Sequence, residues 1–187
     1  MHLRRRILGL AILTGCLPHK AQLVVPAHAE SDVLAAVIEH LRPRLADTIL
    51  IVDSTIVYDV DRMGARAMGP HRRDSVPDGL RERLGQVSRR PQPSRLLPIR
   101  HPVRVLQWNV PGSHPRAADP SMSALLPRRL HVYRFTPVAF NADSTGAYIY
   151  YEFFCGSLCG GGEGLWLTRS RGDPHWRVRY VAPYWIS

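Results

Sequence analysis

The sequence has almost no lysine: Lys20 is the only one, so arginine supplies the rest of the 25 basic residues. It contains neither a G-x-S-x-G nor an H-E-x-x-H motif, the usual sequence signals of α/β-hydrolases and zinc metalloproteases. It is not depleted in apolar residues, because 45% are hydrophobic and only 21% are charged, which excludes a disordered chain. At 187 residues the chain is long enough for one domain with a sizeable core and a targeting segment.

The N-terminus has the pattern of a bacterial export signal. Three consecutive arginines from Arg4 precede an apolar run that is too short to span a bilayer, which takes about 20 residues. Two cleavage sites fit: Leu13–Cys16 resembles a lipobox, in which the cysteine is lipidated, and Ala27–Ala29 is an A-x-A site. We therefore predict a leader within residues 1–29. The mature protein is expected in the periplasm or anchored to the outer membrane as a lipoprotein, or, after cleavage at the second site, soluble or secreted.

The remaining charge is basic but scattered. Cleavage after Ala29 removes four of the 25 basic residues and none of the 15 acidic ones, leaving a net charge of +6. Arginine pairs at 72–73, 89–90 and 128–129 are not interleaved with aromatic residues on one face, so we predict no specific nucleic acid. They form either a solvated surface or one attracted to acidic envelope components such as lipid headgroups or polysaccharide. Membrane contact is otherwise expected only through a lipid on Cys16.

Cys155 and Cys159 are the only cysteines that remain as a pair in the oxidising compartment beyond the leader. Four fully extended residues would hold their Cα atoms roughly 13 Å apart, whereas a disulfide needs less than about 7 Å. The backbone must therefore bend at Gly156 and Ser157, so that the preceding strand ends near Phe154. On this basis we predict a disulfide that closes a hairpin.

Two other interpretations of the cysteines remain open. A redox-active thiol pair fits poorly, because C-x-x-C at a helix start is the usual spacing and this sequence has C-x-x-x-C. A metal site would need two more ligands, which His131 or His175 could supply. We assign no catalytic, cofactor-binding or metal-binding residue and expect no cofactor.

Hydrophobic periodicity predicts an α+β fold: an N-terminal helix packed on an antiparallel β-meander, in a single domain over residues 30–187 with Arg- and Pro-rich loops in 88–129. Helices are expected at Ser31–Leu41, capped by Ser31, and at Ser75–Leu84, capped by Ser75. The expected strands are Thr48–Val52, Val103–Trp108, Leu130–Phe135 with a continuation at Val138–Phe140, Ala147–Phe154, Leu165–Thr168 and His175–Val181.

The last third of the chain carries a recognisable order of residues. Phe140 and Asp143 are followed by an aromatic strand, the Cys155–Gly160 motif C-G-x-L-C-G, a glycine turn, Trp176 and a terminal Trp185-Ile186-Ser187. This order resembles uncharacterised exported bacterial proteins, many of them lipoproteins, with a C-terminal CGxLCG β-meander. The resemblance covers about a quarter of the chain and implies export, but it carries no assigned activity and hence no catalytic residues.

Other conspicuous residues have structural explanations that compete with functional ones. The glycine run Gly160–Gly164 predicts a tight hairpin turn, because it lacks the lysine and following helix of a phosphate-binding loop. Asp53 and Thr55 follow a strand, where turn formation is the usual role. The three C-terminal tryptophans either pack the sheet against the helix or form an exposed aromatic face. They are Trp166, Trp176 and Trp185.

The function that the sequence favours is an exported, non-catalytic binding or interaction module of the bacterial cell envelope. The alternative is a small periplasmic enzyme, hydrolase-like, with a pocket between helix and sheet. A deep pocket with converging polar groups would favour the enzyme. A flat aromatic or arginine-lined surface would favour the module.

Intact-mass spectrometry of the mature protein tests the leader and the cysteine pair together. We expect a chain that begins at a diacylated Cys16, or at Glu30 if the second site is cleaved. In either case Cys155 and Cys159 should gain two hydrogen atoms only after reduction. A chain that keeps its arginine-rich N-terminus, or free thiols before reduction, would contradict the corresponding prediction.

Overall fold

The computed structural model describes residues 28–41, 49–52, 55–59, 76–92, 103–106, 131–156 and 159–186. The predicted leader before residue 28, including Cys16, lies outside these ranges, as do most of the loops in 88–129. Within them the chain forms two helices and seven strands. In order, these are α1 (Ala29–Leu41), β1 (Ile49–Val52), α2 (Asp78–Val87), β2 (Val103–Leu106), β3 (Val132–Phe135), β4 (Ala139–Phe140), β5 (Gly146–Gly156), β6 (Cys159–Thr168) and β7 (Arg177–Ile186).

The strands form one mixed sheet in the order β2-β1-β3-β5-β6-β7, with the short β4 paired to β5 beyond the end of β3. The C-terminal pairings β3–β5, β5–β6 and β6–β7 are antiparallel, as predicted. The expectation of a purely antiparallel meander is wrong, because β1 runs parallel to both β2 and β3. These parallel neighbours are far apart in sequence, so no hairpin turn signals their pairing. The coarser α+β prediction is confirmed.

The two helices pack on opposite faces of the sheet. Alternate residues of β5 point to opposite sides, and Ile149 and Tyr151 share a cluster with the buried face of α1, while Tyr148 and Tyr150 share another with α2. The sheet is therefore the middle of three layers, rather than the floor beneath one helix. Its α1 face is aliphatic and aromatic, and its α2 face is rich in tyrosine.

Helix α1 has the apolar stripe that the sequence predicted, but not the predicted cap. Its buried face is Val33, Leu34, Val37, Ile38 and Leu41. The helix begins at Ala29, two residues before Ser31, and the Ser31 hydroxyl donates a hydrogen bond back to the His28 carbonyl at 2.7 Å. Ser31 therefore lies inside the first turn and caps no amide.

Helix α2 begins later than predicted. Pro77 occupies its N-cap position without a side-chain hydrogen bond, and the predicted cap Ser75 lies outside the described residues. Leu80 and Leu84 are buried as expected. At the C-terminus the buried Ser88 hydroxyl donates to the Leu84 carbonyl at 2.6 Å and accepts the Tyr58 amide at 3.2 Å, which ties the 55–59 segment to the helix.

The hairpin between β5 and β6 contains the predicted disulfide. Cys155 and Cys159 are bonded with their Cα atoms 5.1 Å apart. Regular pairing ends at Phe154, and after a register shift Gly156 pairs with Cys159. In the chain-entropy model a loop this short contributes roughly 2 kcal/mol, so the bond chiefly holds the shape of the hairpin.

The glycine run is not a turn. Gly160 to Gly164 lie within β6, each paired with a residue of β5, and the chain reverses before them, between Gly156 and Cys159. The prediction of a glycine hairpin turn is therefore wrong. Glycine is unfavourable in strand interiors unless another group approaches the backbone closely. Such an approach occurs on the α2 face of this strand.

Aromatic side chains from both neighbouring strands lie across β6 where the glycines leave room. A Cβ atom on Gly162 would overlap the Tyr150 hydroxyl and the Trp185 indole nitrogen, and one on Gly164 would overlap the Tyr148 hydroxyl. We call Gly160, Gly162 and Gly164, which share this face, the glycine strip. It allows rings from β5 and β7 to meet above a strand that would otherwise separate them.

We predict that Gly162→Ala and Gly79→Ala change stability in opposite directions. The first should lower the free energy of unfolding by about 1–3 kcal/mol through overpacking against Tyr150 and Trp185. The second places the same methyl group on α2, where no atom lies within 4 Å. It should raise the free energy of unfolding by about 0.5–1 kcal/mol because alanine favours the helix. Urea unfolding of both variants measures the pair, and a Gly162→Ala protein as stable as the parent would contradict the close packing.

Candidate functional site

A β-bulge brings two consecutive aromatic residues of β7 to the glycine strip. Gly162 pairs with Trp185 and Glu163 pairs with Pro183, so Tyr184 is an extra residue between two regular pairs. In a regular strand Tyr184 and Trp185 would point to opposite faces. The bulge instead places both on the α2 face, with Tyr184 over Gly164 and Trp185 over Gly162.

The tyrosines on this face form a hydrogen-bonded cluster, which we call the tyrosine cluster: Tyr58, Tyr148, Tyr150 and Tyr184. The Tyr184 hydroxyl lies 3.0 Å from that of Tyr58 and 2.7 Å from that of Tyr148. The rings of Tyr58, Tyr150 and Tyr184 pack in tilted and edge-to-face pairs with centroids 5.4–6.3 Å apart, a favourable geometry for aromatic rings.

A second chain of hydrogen bonds leaves the cluster towards the hairpin. The Trp185 indole nitrogen donates to the Tyr150 hydroxyl at 2.9 Å, and that hydroxyl donates to the Glu152 carboxylate at 3.2 Å. Arg134 is buried and is the cross-strand neighbour of Glu152. Burial lowers the pKa of Arg134, while the Glu152 charge acts in the opposite direction. The two charges therefore compensate each other on the same face of the sheet.

Burial keeps three phenols of the cluster, those of Tyr58, Tyr148 and Tyr150, protonated. It raises the pKa of Tyr58, Tyr148 and Tyr150 well above the ordinary value, with further contributions from neighbouring tyrosines or, for Tyr150, from the Glu152 charge. A phenol that does not ionise near neutral pH is a poor general base and a poor nucleophile. The phenols with raised pKa values therefore offer neither a base nor a nucleophile near neutral pH.

Arginines gather at the opposite end of the sheet from the disulfide. The β6–β7 turn and its flanking strand ends carry Arg169, Arg171, Arg177 and Arg179, which we call the arginine end. Strands β5 and β6 run some ten residues from the hairpin to this turn, or about 30 Å at ~3.3 Å per residue. The disulfide and the arginine end are thus separate regions of the molecule.

Two of these arginines are held by hydrogen bonds through their Nε atoms. Arg169 Nε donates to the Ser144 carbonyl at 2.9 Å, and its guanidinium carbon lies 4.6 Å from the centre of the Trp176 ring. Arg179 Nε donates to the Thr168 hydroxyl at 2.9 Å. Arg171, Arg177 and Arg179 are exposed. The arginine end therefore combines fixed guanidinium groups with access to solvent.

Two cavities open at this end. The larger, of about 310 Å³, lies between the β4–β5 and β6–β7 turns, and its charged lining residues balance: Arg169 and Arg171 against Asp143 and Asp173. Hydrogen bonds from Thr145 lower the pKa of Asp143 and so keep it ionised. The smaller cavity, of about 90 Å³, has an excess of arginine. Only the smaller cavity has a net positive lining.

The structure does not bring the other candidate residues together. His131 lies against Tyr133 and Phe153, where burial lowers its pKa. His175 is exposed at the arginine end, far from the disulfide. Across the described ranges, no three His, Cys, Asp or Glu side chains are grouped to hold a metal ion. Thr55 is buried and bonds the Gln92 amide at 2.8 Å, a structural role, whereas Asp53 lies outside the described residues.

The tryptophans divide between the two faces. Trp176 is buried on the α1 face beneath Arg169. Trp185 and Trp166 are half-buried against the α2-face cluster. Packing therefore accounts for all three, in agreement with the first of the two explanations given above. Sequence reasoning missed the tyrosine cluster, because the bulge at Tyr184 and the contact with Tyr58 depend on tertiary pairing.

We predict that the tyrosine cluster makes stability fall at alkaline pH. Because the folded-state pKa of Tyr58 is raised above its unfolded value of about 10, its contribution is fully present below pH ~10 and is lost as the pH rises further. Between pH 10 and 11 each such phenol should cost about 1 kcal/mol. In Tyr58→Phe this drop should be smaller by that amount, as measured by urea unfolding. Between pH 8 and 9 the free energy of unfolding should change with pH equally in parent and variant. An equal change in both above pH 10 would refute the assignment.

The comparisons with known proteins add no relative to this geometry. No family model, no curated protein and no solved structure matches the chain. The resemblance to exported proteins with a CGxLCG meander therefore stays a prediction. Among the described helices, neither has the length and apolarity to cross a bilayer.

Proposed function

We propose that this chain is an exported, non-catalytic binding module of the bacterial cell envelope. Its residues 30–187 form a single α+β domain, and its arginine end engages acidic envelope components. The arginine end carries this proposal, because it is a region where several exposed like charges are held on a rigid turn beside open cavities. A module of this kind needs no reactive side chain.

The charge at the arginine end supports an anionic partner. Four arginines lie there against two carboxylates, those of Asp143 and Asp173. Asp143 Oδ1 accepts hydrogen bonds from Thr145, and Asp173 Oδ1 accepts the His175 amide at 2.8 Å. Both carboxylates are thus engaged in shaping their turns. The net charge of +2 is positioned for recognition of anions rather than dispersed over the surface.

The tyrosine cluster supports a non-catalytic role. The hydroxyls of Tyr58, Tyr148 and Tyr184 bond to one another, and the Tyr150 hydroxyl bonds Trp185 and Glu152. The raised pKa values of Tyr58, Tyr148 and Tyr150 keep these three phenols neutral. Cys155 and Cys159 are joined and present no thiol. The hydrolase-like alternative calls for a pocket between helix and sheet, whereas the two cavities at the arginine end are lined by turns and strand ends. The binding module is therefore the better supported of the two.

Export is proposed from the leader pattern and from the CGxLCG resemblance. A disulfide is compatible with the oxidising periplasm. Attachment through a lipid on Cys16 would hold the domain at a membrane surface. The soluble form cleaved after Ala29 would reach the same acidic components by diffusion.

Co-sedimentation with lipid vesicles tests the proposal. The mature protein should bind vesicles containing phosphatidylglycerol more tightly than vesicles of phosphatidylcholine alone, and the difference should shrink as salt is added. Arg171→Gln with Arg177→Gln should weaken this preference roughly thirtyfold, since each basic residue near an anionic surface contributes about 1 kcal/mol. Binding to the neutral vesicles separately reports any acyl chain at Cys16.

The matched control removes two arginines elsewhere. Arg89 and Arg90 are exposed and follow the end of α2. Changing both to Gln removes the same net charge as the first double substitution. This control should retain nearly all of the preference. An equal loss of the preference for anionic vesicles in the two double variants would show that net charge alone drives binding. It would contradict the assignment to the arginine end. Binding to polygalacturonate but not to anionic vesicles would redirect the partner from lipid to acidic polysaccharide.

A further inference from the structure

We propose that the smaller cavity of the arginine end is a binding site for a phosphate group. This inference rests on the proposed function and names the chemistry of its site. The cavity, of about 90 Å³, lies where β6 ends and β7 begins. Its lining includes three arginines and two hydroxyl residues: Arg169, Arg177, Arg179, Thr168 and Ser170.

Strand pairing centres the site on Thr168. Arg177 is the Cα partner of Thr168 across the β6–β7 ladder. Trp166 pairs with Tyr180 and Leu167 with Val178, so Arg179 is an extra residue of the second bulge in β7. Bulges redirect side chains at the ends of strands. At this bulge Arg179 bonds the hydroxyl of the same threonine that Arg177 adjoins.

Two of the three arginines that line the cavity, Arg169 and Arg179, are held by hydrogen bonds before any ligand arrives. The hydrogen bond to Thr168 uses one of the five N–H groups of Arg179, and the bond to Ser144 uses one of those of Arg169. In both cases the donor is Nε, so the terminal amino groups at the far side of each guanidinium remain for other acceptors. Packing on Trp176 further restrains Arg169. A ligand would therefore immobilise few new side chains, which lowers the entropic cost of binding.

The charge and size of the cavity fit a phosphate dianion. Three arginines face one carboxylate, that of Asp173, and His175 at the rim is neutral in the formal count, so the lining carries +2. A lone carboxylate ligand would neutralise only half of this charge. A phosphate monoester carries up to two negative charges and three acceptor oxygens, which suit the forked donors of arginine. The volume is about three times the ~30 Å³ that one water occupies in the liquid.

Titration calorimetry of the mature protein at constant ionic strength tests the site. Inorganic phosphate should bind at least about tenfold more tightly than acetate, because it supplies more charge and more acceptors to the same donors. Arg177→Gln should weaken phosphate binding about fivefold, a loss expected for one partly solvated charged contact. Arg179→Lys should weaken it similarly although the charge is kept, because lysine has neither the Nε donor nor the planar fork.

The control is Arg89→Gln, which removes one exposed charge at the end of α2. It should bind phosphate as the parent does, and all variants should share the parent's thermal unfolding midpoint within about 3 °C, the shift expected of a ~1 kcal/mol surface effect. Phosphate binding that is no tighter than acetate binding would overturn the site. So would parental affinity in both Arg177→Gln and Arg179→Lys.

Vesicles distinguish the source of the phosphate and separate this inference from the function on which it rests. A dianion site should prefer phosphatidic acid, a monoester, over phosphatidylglycerol, a diester, and free phosphate should compete with the former. Tight binding of free phosphate without any binding to vesicles supports the site and assigns it to a soluble phosphorylated ligand. That outcome would contradict the proposed role at a membrane surface. Vesicle binding that free phosphate does not inhibit overturns the site and leaves the broader function standing.

Discussion

The absence of side chains along one face of β6 is the constraint on which the α2 side of the sheet depends. Gly162 and Gly164 lie between two strands that carry large rings, and those rings cross the glycines to reach one another. The hydroxyl contacts of Tyr184 with Tyr148, and of Trp185 with Tyr150, exist only because the intervening strand is bare there. Gly162 and Gly164 thus serve both the strand pairing of β6 and the packing of the rings above it.

The ladder that carries these aromatic contacts also reaches the arginine end. Both irregularities of the β6–β7 ladder are extra residues on β7: Tyr184 near the glycine strip and Arg179 near the turn. The first fits two aromatic side chains over the glycines, and at the second Arg179 bonds the Thr168 hydroxyl. Arg179 and Tyr184 are five residues apart on β7, or about 17 Å at ~3.3 Å per residue. The basic surface is shared between β7, which carries Arg177 and Arg179, and the β6–β7 turn, which carries Arg169 and Arg171.

Local patterns predicted much of this fold, and non-local pairing explains what they missed. The apolar stripe of α1, the short strand ending at Val52 and the C-terminal hairpins follow from side-chain period and turn residues near in sequence. The Cys155–Cys159 disulfide follows from spacing and compartment. The parallel pairing of β1 with β2 and β3 involves segments joined by long connections, so no local signal reports it.

The glycine run shows why composition alone misled. Glycine is common in turns because it tolerates positive φ, yet in β6 its value lies in its small size, with rings from Tyr150 and Trp185 above it. The candidate site was missed for a related reason. Arg169, Arg177 and Arg179 are dispersed over eleven residues, and only the ladder and a bulge bring them to one cavity. The basic composition is visible in the sequence, but the gathering of these arginines at one cavity is not.

The contrast between the two polar regions decides where a ligand can bind. In the tyrosine cluster the hydroxyls already bond to groups of the protein in a buried setting. A ligand would have to break these contacts and leave buried groups unpaired, at about 1–3 kcal/mol each. At the arginine end Nε of Arg169 and Arg179 is committed to the protein, and the terminal donors lie beside an open cavity of net positive charge. The proposed anion would bind there without breaking a contact of the fold. Recognition is therefore favoured where the protein has fixed its donors but has not neutralised them.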